Sequence, residues 1–431
     1  MDLDWLSDNT LFSESVRDPV WKDIRLTPAL RDITRSSRFL RLYGIRQLGP
    51  TEYVYPGATH TRASHSLGVY HLALRMLRVL LSGGASSWVT KAGCWSFLTA
   101  ALLHDLGHFP FTHSLKELPL RDHESLTAEA VRSQPLADLC RAAGADPDVC
   151  SAIIDDSLPC PPGSGDEVLF FRKLLSGVLD PDKLDYLNRD AFFCGVPYGI
   201  QDTDFVLSQI HPDRERGIVL DSRAIMSVEG VLFSKYLMYR SVYWHRQVRI
   251  ATAMMKKAIY AALTGNFIGP ERLYNLDDEG IYALISSLDL PERSLASSIR
   301  RRDFYRVCAE MPFNAKDDAM TALEDIALRR EAEGRVASLV STLTGRSVPP
   351  HMVIIDVPER VSFESDLLIL DEGKPFSESS TVFSGGVVER FASSLRKVRV
   401  AVEPSLAVIL EDRPSIAEEL AKCIGLRYTQ G

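Results

Sequence analysis

Apolar positions recur at helical spacing over the first three quarters of the chain. Leu72, Leu74, Met76, Leu77, Val79 and Leu80 form a dense stretch after Gly68, and Trp95, Phe97, Leu98, Ala101 and Leu102 form a second. The segment from Ile225 to Leu263 has few breakers and keeps the same spacing, so it predicts a long helical run. Pro110, the run Pro159-Cys160-Pro161-Pro162 and Gly163-Ser164-Gly165 punctuate these stretches as loops. The character changes near Gly345-Arg346-Ser347-Val348-Pro349-Pro350. Short β-branched runs follow, Met352 to Val357, Leu367 to Leu370 and Val398 to Val402. Between them Val387, Val388, Phe391, Leu395 and Val398 keep helical spacing, and another short helix is predicted from Ile416 to Ile424. Strands alternating with helices predict a small α/β lobe. The expected organisation is a mostly α-helical domain, residues 1–344, and a small α/β C-terminal lobe, residues 345–431.

Composition adds limits rather than detail. At roughly 100–200 residues per domain, 431 residues make two or three domains. Apolar residues at 45% and charged residues at 25% suffice for an ordinary core without disulfides. The net charge of −8 excludes a general nucleic-acid binder, so an anionic ligand needs local positive charge or a metal. The seven cysteines are odd in number and contain no C-x-x-C pair, which argues against a disulfide framework or a zinc knuckle and for a reducing compartment. Met1-Asp2-Leu3-Asp4-Trp5 lacks the basic and apolar regions of a signal peptide. The best apolar run, Phe97 to Leu103, falls far short of the ~20 residues of a membrane helix. A soluble cytoplasmic protein is expected.

The histidines carry the chemistry. Seven of ten fall between His60 and His123: His60, His65, His71, His104, His108, His113 and His123. Any one alone reads as a surface or core histidine, but their neighbours give the cluster meaning. In Leu102-Leu103-His104-Asp105-Leu106-Gly107-His108-Phe109-Pro110-Phe111-Thr112-His113 an apolar helix runs into a His-Asp pair. Burying that pair is costly unless something engages it, and imidazole nitrogen with carboxylate oxygen suits a divalent cation. His108, four residues beyond His104, is expected on the same helix face, with Pro110 bending the chain to re-aim His113. Two ligands hold a metal poorly, so more are expected from His65 and from Asp182. The latter lies in Asp180-Pro181-Asp182-Lys183-Leu184-Asp185-Tyr186-Leu187-Asn188-Arg189-Asp190, which otherwise reads as a solvated helix with i,i+4 charge pairs.

His65, His104-Asp105 and Asp182 match the H…HD…D pattern, and the sequence here resembles the HD superfamily of phosphohydrolases. The longer H-D-L-G-H-x-P-F-x-H and D-x-D-K-L-D-Y-L-x-R-D runs are similar to its dNTP triphosphohydrolase branch. So are Gln47-Leu48-Gly49, Tyr53 to His60 and Tyr243-Trp244-His245-Arg246. The resemblance covers residues 25–265 best, with a motif core at about 45–245. It implies one divalent ion (iron, manganese, zinc, cobalt or nickel) on His65, His104, Asp105 and Asp182, and magnesium on substrate phosphates. It implies acid, base or phosphate roles for His108, His113 and His123. Arg62, Lys183 and Lys235 would neutralise phosphates, and Tyr186 and Asp190 would line the sugar and phosphate pocket. Gln47 would bond the sugar 3′-hydroxyl, and Leu48 would pack against the 2′ carbon and exclude a ribose hydroxyl. The implied reaction yields a deoxynucleoside and inorganic triphosphate. A homo-oligomer, dimer or tetramer, is implied as well.

The sequence also departs from that branch. Where many members carry an acidic-Thr-Pro stretch of an activating nucleotide site, this chain has Arg35-Ser36-Ser37-Arg38. Three residues past His113, an acid is replaced by Lys116, followed by Glu117. Lys235 stands where an arginine is found, which loses bidentate geometry. Beside the triphosphohydrolase stand two other readings. One is an HD phosphohydrolase of another phosphate ester, such as a nucleoside monophosphate, a signalling nucleotide or a nucleic-acid end. The other is a nucleotide-binding regulatory protein with little turnover.

Overall fold

The apolar stretch after Gly68 lies in one helix, Arg62–Ser82. A reciprocal cap fixes its start: the Thr61 side chain accepts from the Ser64 N–H, and the Ser64 hydroxyl accepts from the Thr61 N–H. The second stretch is the helix Lys91–Leu103, in which every residue from Gly93 onward is buried, as expected of a helix apolar all round. Both were identified in a computed structural model that describes residues 3–361, 367–383 and 386–428. Together with the helix Pro181–Cys194 they pack around the largest apolar core. An N-terminal hairpin, β1 (Glu14–Asp18) with β2 (Lys22–Leu26), lies against the same core through Ile24 and Leu26.

The predicted run from Ile225 to Leu263 is not one helix. Ile225–Met238 passes into a π-helical turn, Tyr239–Tyr243, where the Trp244 N–H reaches back five residues to the Tyr239 carbonyl. The helix resumes at Arg246–Thr264. Such widened turns concentrate at functional sites, and this one delivers Tyr239 and Tyr243 to the cleft described below. The Arg246–Thr264 helix carries a second apolar cluster, with the helices Asp278–Ser287 and Arg293–Arg300.

The C-terminal lobe is α/β, as the sequence predicts. Its antiparallel sheet has the order β5-β9-β6, with β5 Arg306–Pro312, β6 Val353–Asp356 and β9 Lys397–Val402. The two-residue period is visible in burial. Val353, Ile355, Val400 and Val402 join the lobe's own core, while Ile354 and Ala401 on the other face pack toward Arg246–Thr264. Val398, read with the helical positions before it, belongs to β9, and the helix is Val387–Leu395. Part of the lobe's core comes from before residue 345, since β5 and the helix Ile326–Thr344 belong to it. The run from Leu367 to Leu370 does not join this sheet. It forms β7 (Leu368–Ile369), which pairs in parallel with β4 (Gly217–Leu220) in the order β3-β4-β7-β8, where β3 is Ile210–Asp213 and β8 is Lys374–Pro375. Leu367, Ile369 and Phe376 are buried in the helical core. Apolar pattern marks a strand but does not choose its partner.

Buried ion pairs tie the lobe to the helical domain. Asp356 meets Arg249 at 2.6 Å and Arg399 at 3.2 Å, and Arg249 also pairs with Glu359 at 2.8 Å. Lys256 joins Glu117 and Glu359, and Lys257 pairs with Glu333. Among the described residues no helix is long and apolar enough to cross a membrane.

Candidate metal centre

Three elements bring the predicted ligands together. His65 sits one turn into Arg62–Ser82. His104 caps the end of Lys91–Leu103. Asp182 occupies the first turn of Pro181–Cys194, a helix started by Asp180, whose side chain accepts from the Lys183 N–H, and by Pro181 at its first position. His65 Nε2 lies 2.9 Å from Asp182 Oδ1 and 3.9 Å from Asp105 Oδ2, and His104 Nε2 lies 3.3 Å from Asp105 Oδ1 and 3.8 Å from Asp182 Oδ1. One atom each of His65, His104 and Asp182 falls within 4.8 Å of the others, as do atoms of Asp105, His108 and His123. The Asp105 carboxylate faces both groups.

This donor set fits a divalent ion. His104 Nδ1 is taken by the Ala101 carbonyl at 3.0 Å, while its buried Nε2 has no hydrogen-bond partner and points into the cluster. A buried polar atom left unpaired is costly, and a cation among imidazole nitrogens and carboxylate oxygens removes that cost. Asp185, three residues after Asp182, takes the far nitrogen of His65 at 2.8 Å. Burial disfavours charge on Asp185, but Arg189 and His65 outweigh it and hold this carboxyl well below the usual range. The expected i,i+4 charge pair of this segment is therefore real in Asp185 and Arg189, but fully buried rather than solvated.

His104 and His108 do not share a helix face. The helix ends at Leu103, and turns at residues 104–107 and 110–111 follow. The cause is Gly107, whose N–H donates to Thr127 Oγ1 at 2.8 Å and where a Cβ would overlap the His123 carbonyl oxygen. That close approach sets His108 against His123, with ring centroids 3.9 Å apart and the planes tilted by 39°. Phe111 follows with a φ of 65°, a left-handed conformation unusual for an aromatic residue, and turns the chain so that exposed His113 stands 4.7 Å from the His108 ring. His108 is fully buried, and neither ring nitrogen has a hydrogen-bond partner. Burial, then the Arg62 charge, push its imidazole well below the ordinary value, so it is neutral. Arg62 pairs with Asp105 at 2.7 Å.

These groups open into a cleft of about 610 Å³, whose wall also carries Gln47, Leu48, Tyr186 and Asp190. Gln47 Oε1 is buried there without a partner. Asp190 is already engaged on both oxygens, by His60 Nε2 at 2.8 Å and by the Tyr243 hydroxyl at 2.7 Å. Lys183 and Lys235 are not among the cleft-lining residues. Lys183 Nζ donates to the Gly177 carbonyl and pairs with Asp180 at 2.8 Å, and Lys235 is buried. Glu117 is held by Lys256 and Arg329 outside the lining, whereas Glu124 lies in it, 2.9 Å from His123 Nδ1. Glu124, Tyr239 and Arg249 line the cleft without having been singled out in the sequence, and Tyr243 was named there only as part of a matching run. The adjacency of Glu124 to His123 was the available signal. In the wall the cations Arg46, Arg62, Lys116, Arg249 and Arg360 are matched one for one by Asp105, Glu124, Asp182, Asp190 and Glu359. A bound divalent ion would tip that balance toward anions.

Fold and site together are similar to those of HD-domain proteins. The HD domain family matches residues 62–159, and the family described as an HD associated region matches residues 202–383. A protein of Methanocaldococcus jannaschii is 31% identical over 68% of this chain and 58% of its own length. The Homo sapiens deoxynucleoside triphosphate triphosphohydrolase SAMHD1 is 27% identical over 58% of this chain and 45% of its own. The crystal structure of a hypothetical protein from Aquifex aeolicus is similar with a TM-score of 0.70 and 25% identity, covering 91% of this chain and 97% of that one. The chain spans little more than half the length of the first curated relatives it matches.

Proposed function

We propose that this chain hydrolyses deoxynucleoside triphosphates to a deoxynucleoside and inorganic triphosphate, with a divalent ion on His65, His104, Asp105 and Asp182. The observation that carries the choice of substrate is Gln47 Oε1, a buried acceptor without a partner on the cleft wall, with Leu48 beside it. An amide oxygen in that state calls for a hydroxyl donor, and the 3′-hydroxyl of a sugar supplies one. Leu48 then meets the 2′ carbon and leaves a ribose hydroxyl without room or partner. SAMHD1, by its name a deoxynucleoside triphosphate triphosphohydrolase, lends support by similarity.

When bound, the ion supplies Lewis acidity at a phosphoryl oxygen and lowers the pKa of water. The chain's own groups do the rest. Arg62 neutralises phosphate charge from its pair with Asp105, and Lys116 on the rim takes the distal phosphates. His113 lines the cleft with its imidazole pKa brought down to about 3 by desolvation there, then by the Arg62 charge, so it protonates the leaving 5′-oxygen, a role worth typically 10²–10⁴-fold, only once the negative charge of the bound phosphates has raised that value. Neutral His108 bonds phosphate oxygens together with His123, which Glu124 orients. Tyr186 borders the sugar, and Asp190, already bonded to His60 and Tyr243, shapes the same wall.

A second reading, another phosphate ester as substrate, is favoured by one observation. Lys183 and Lys235 lie outside the cleft lining, which leaves fewer cations for a triphosphate. Gln47→Ala separates the two. On the first reading, deoxynucleotide kcat/KM falls roughly tenfold, the worth of one ordinary hydrogen bond, and the dNTP-to-NTP preference narrows while metal content holds. Unchanged rate and preference would remove the reason for choosing deoxynucleotides. Magnesium on the phosphates and a dimer or tetramer belong to the same proposal, and sedimentation analysis checks the second.

A further inference from the structure

His65 is held from behind by a chain of buried charges that leaves the HD domain altogether. Its Nδ1 lies 2.8 Å from Asp185 Oδ2. An ionised carboxylate only accepts, so Nδ1 donates its proton to Asp185, and Nε2, 2.9 Å from Asp182 Oδ1, is the nitrogen whose lone pair an ion between His65, Asp182 and Asp105 would take in place of a proton. Asp185 is in turn gripped by Arg189, through Nε at 2.8 Å and Nη2 at 3.0 Å, and by the Trp21 indole N–H. Arg189 is fully buried, and its remaining donors meet Asp18, at 2.8 Å from Nη1 and 3.4 Å from Nη2. Asp18 ends β1, and its Oδ1 accepts from the N–H groups of Val20 and Trp21, which closes the hairpin turn. Space for the chain comes from Gly68, one turn past His65. A Cβ there would overlap Asp185 Oδ1 and crowd Arg189 Nη2.

We propose that the N-terminal hairpin is a working part of the metal site: through Asp18 and Trp21 it holds Arg189 and Asp185, which fix the tautomer and ring angle of His65. Residues 14–26 lie outside both matched family regions, 62–159 and 202–383. Asp18, Trp21, Asp185 and Arg189 are positioning residues, acting on the ion only through His65. Carboxylates behind a metal-bound histidine raise its basicity and set its orientation, and losing one typically weakens metal binding 10–100-fold. The inference rests on the reading of His65 as a ligand.

The test is binding of Mn²⁺ alone to the full chain by equilibrium dialysis, with the visible spectrum of the Co²⁺ form as a reporter of ligand geometry and melting of the metal-free protein as a reporter of fold. Asp185→Asn is expected to weaken Mn²⁺ binding about 10–100-fold and to alter the Co²⁺ spectrum. Trp21→Phe keeps the ring, which stacks on His71, and removes only the N–H, so it decides the matter if Asp185→Asn does not fold. It is expected to weaken Mn²⁺ binding in the same direction with metal-free melting unchanged. Folded variants with wild-type affinity and an unchanged Co²⁺ spectrum would show that the chain of charges is structural only, and would overturn the proposal. A wild-type protein that binds no Mn²⁺ would instead overturn the metal-site reading itself.

Discussion

His104→Ala and Asp105→Ala are each expected to reduce phosphohydrolase turnover to background and to lower the metal retained by the purified protein, with the fold intact. Both side chains are committed to the cluster. His104 spends one nitrogen on the Ala101 carbonyl and leaves the other unpaired, and Asp105 faces His65, His104 and His108 at once. Removing His104 deletes a ligand and little packing, because its side chain is only a cap on a helix already complete at Leu103. Removing Asp105 also strands Arg62, which then faces the site without its 2.7 Å partner. The Asp105 variant should therefore melt somewhat lower as well. Metal analysis, turnover and circular dichroism on the same preparations check this, and wild-type turnover in either variant would refute the ligand assignment.

The largest stability effect is expected at Asp356. This carboxylate is buried between Arg249 and Arg399 where the lobe meets the Arg246–Thr264 helix. Asp356→Ala leaves two buried guanidinium groups short of a counter-charge, a loss of about 3–5 kcal/mol by analogy with other broken buried pairs. Denaturant unfolding measures it. The acid side of the stability profile carries a second signature. Burial disfavours charge on Asp356, but Arg249 and Arg399 more than offset this and bring its pKa down to about 2. An aspartate in the unfolded chain titrates near ~3.9. The unfolded state thus binds the proton first as pH falls. The stabilisation is whole above the unfolded value and is lost as pH drops toward about 2. Asp356→Asn should flatten that part of the profile, and an unaltered acid limb would refute the account of the pair.

The same contrast between local and long-range determinants explains what the sequence disclosed. The helices Arg62–Ser82 and Lys91–Leu103 were legible because apolar period and caps are local. His104 was legible because a polar pair at the end of a buried helix needs something to engage it, His65 and Asp182 because they complete the H…HD…D pattern, and the structure brings the three within 4.8 Å. The shape of the turn after His104 was not legible. It depends on Gly107 pressing against the His123 carbonyl, a contact made across the fold. The phosphate role of Lys183 came from the resemblance, and its pairing with Asp180, three residues earlier, is a contact that the resemblance did not include. β7 pairs with β4, about 150 residues away in the chain, and no short-range pattern encodes that choice. Asp18 and Trp21 carry no signal in the sequence, because their partners Arg189 and Asp185 lie about 170 residues away in the chain.

The most direct measurement is product analysis after incubating Mn²⁺-loaded protein with each dNTP and each NTP separately, and with a dNTP mixture. The account predicts inorganic triphosphate and a deoxynucleoside from dNTPs, little from NTPs, and none after the metal is stripped by chelation. Release only in the mixture would mean that an activating nucleotide is required despite the Arg35-Ser36-Ser37-Arg38 segment. Intact, metal-loaded protein that releases no triphosphate from any of them would contradict the proposed substrate, and metal-free protein that turns over at the full rate would contradict the role given to the His65, His104, Asp105 and Asp182 cluster.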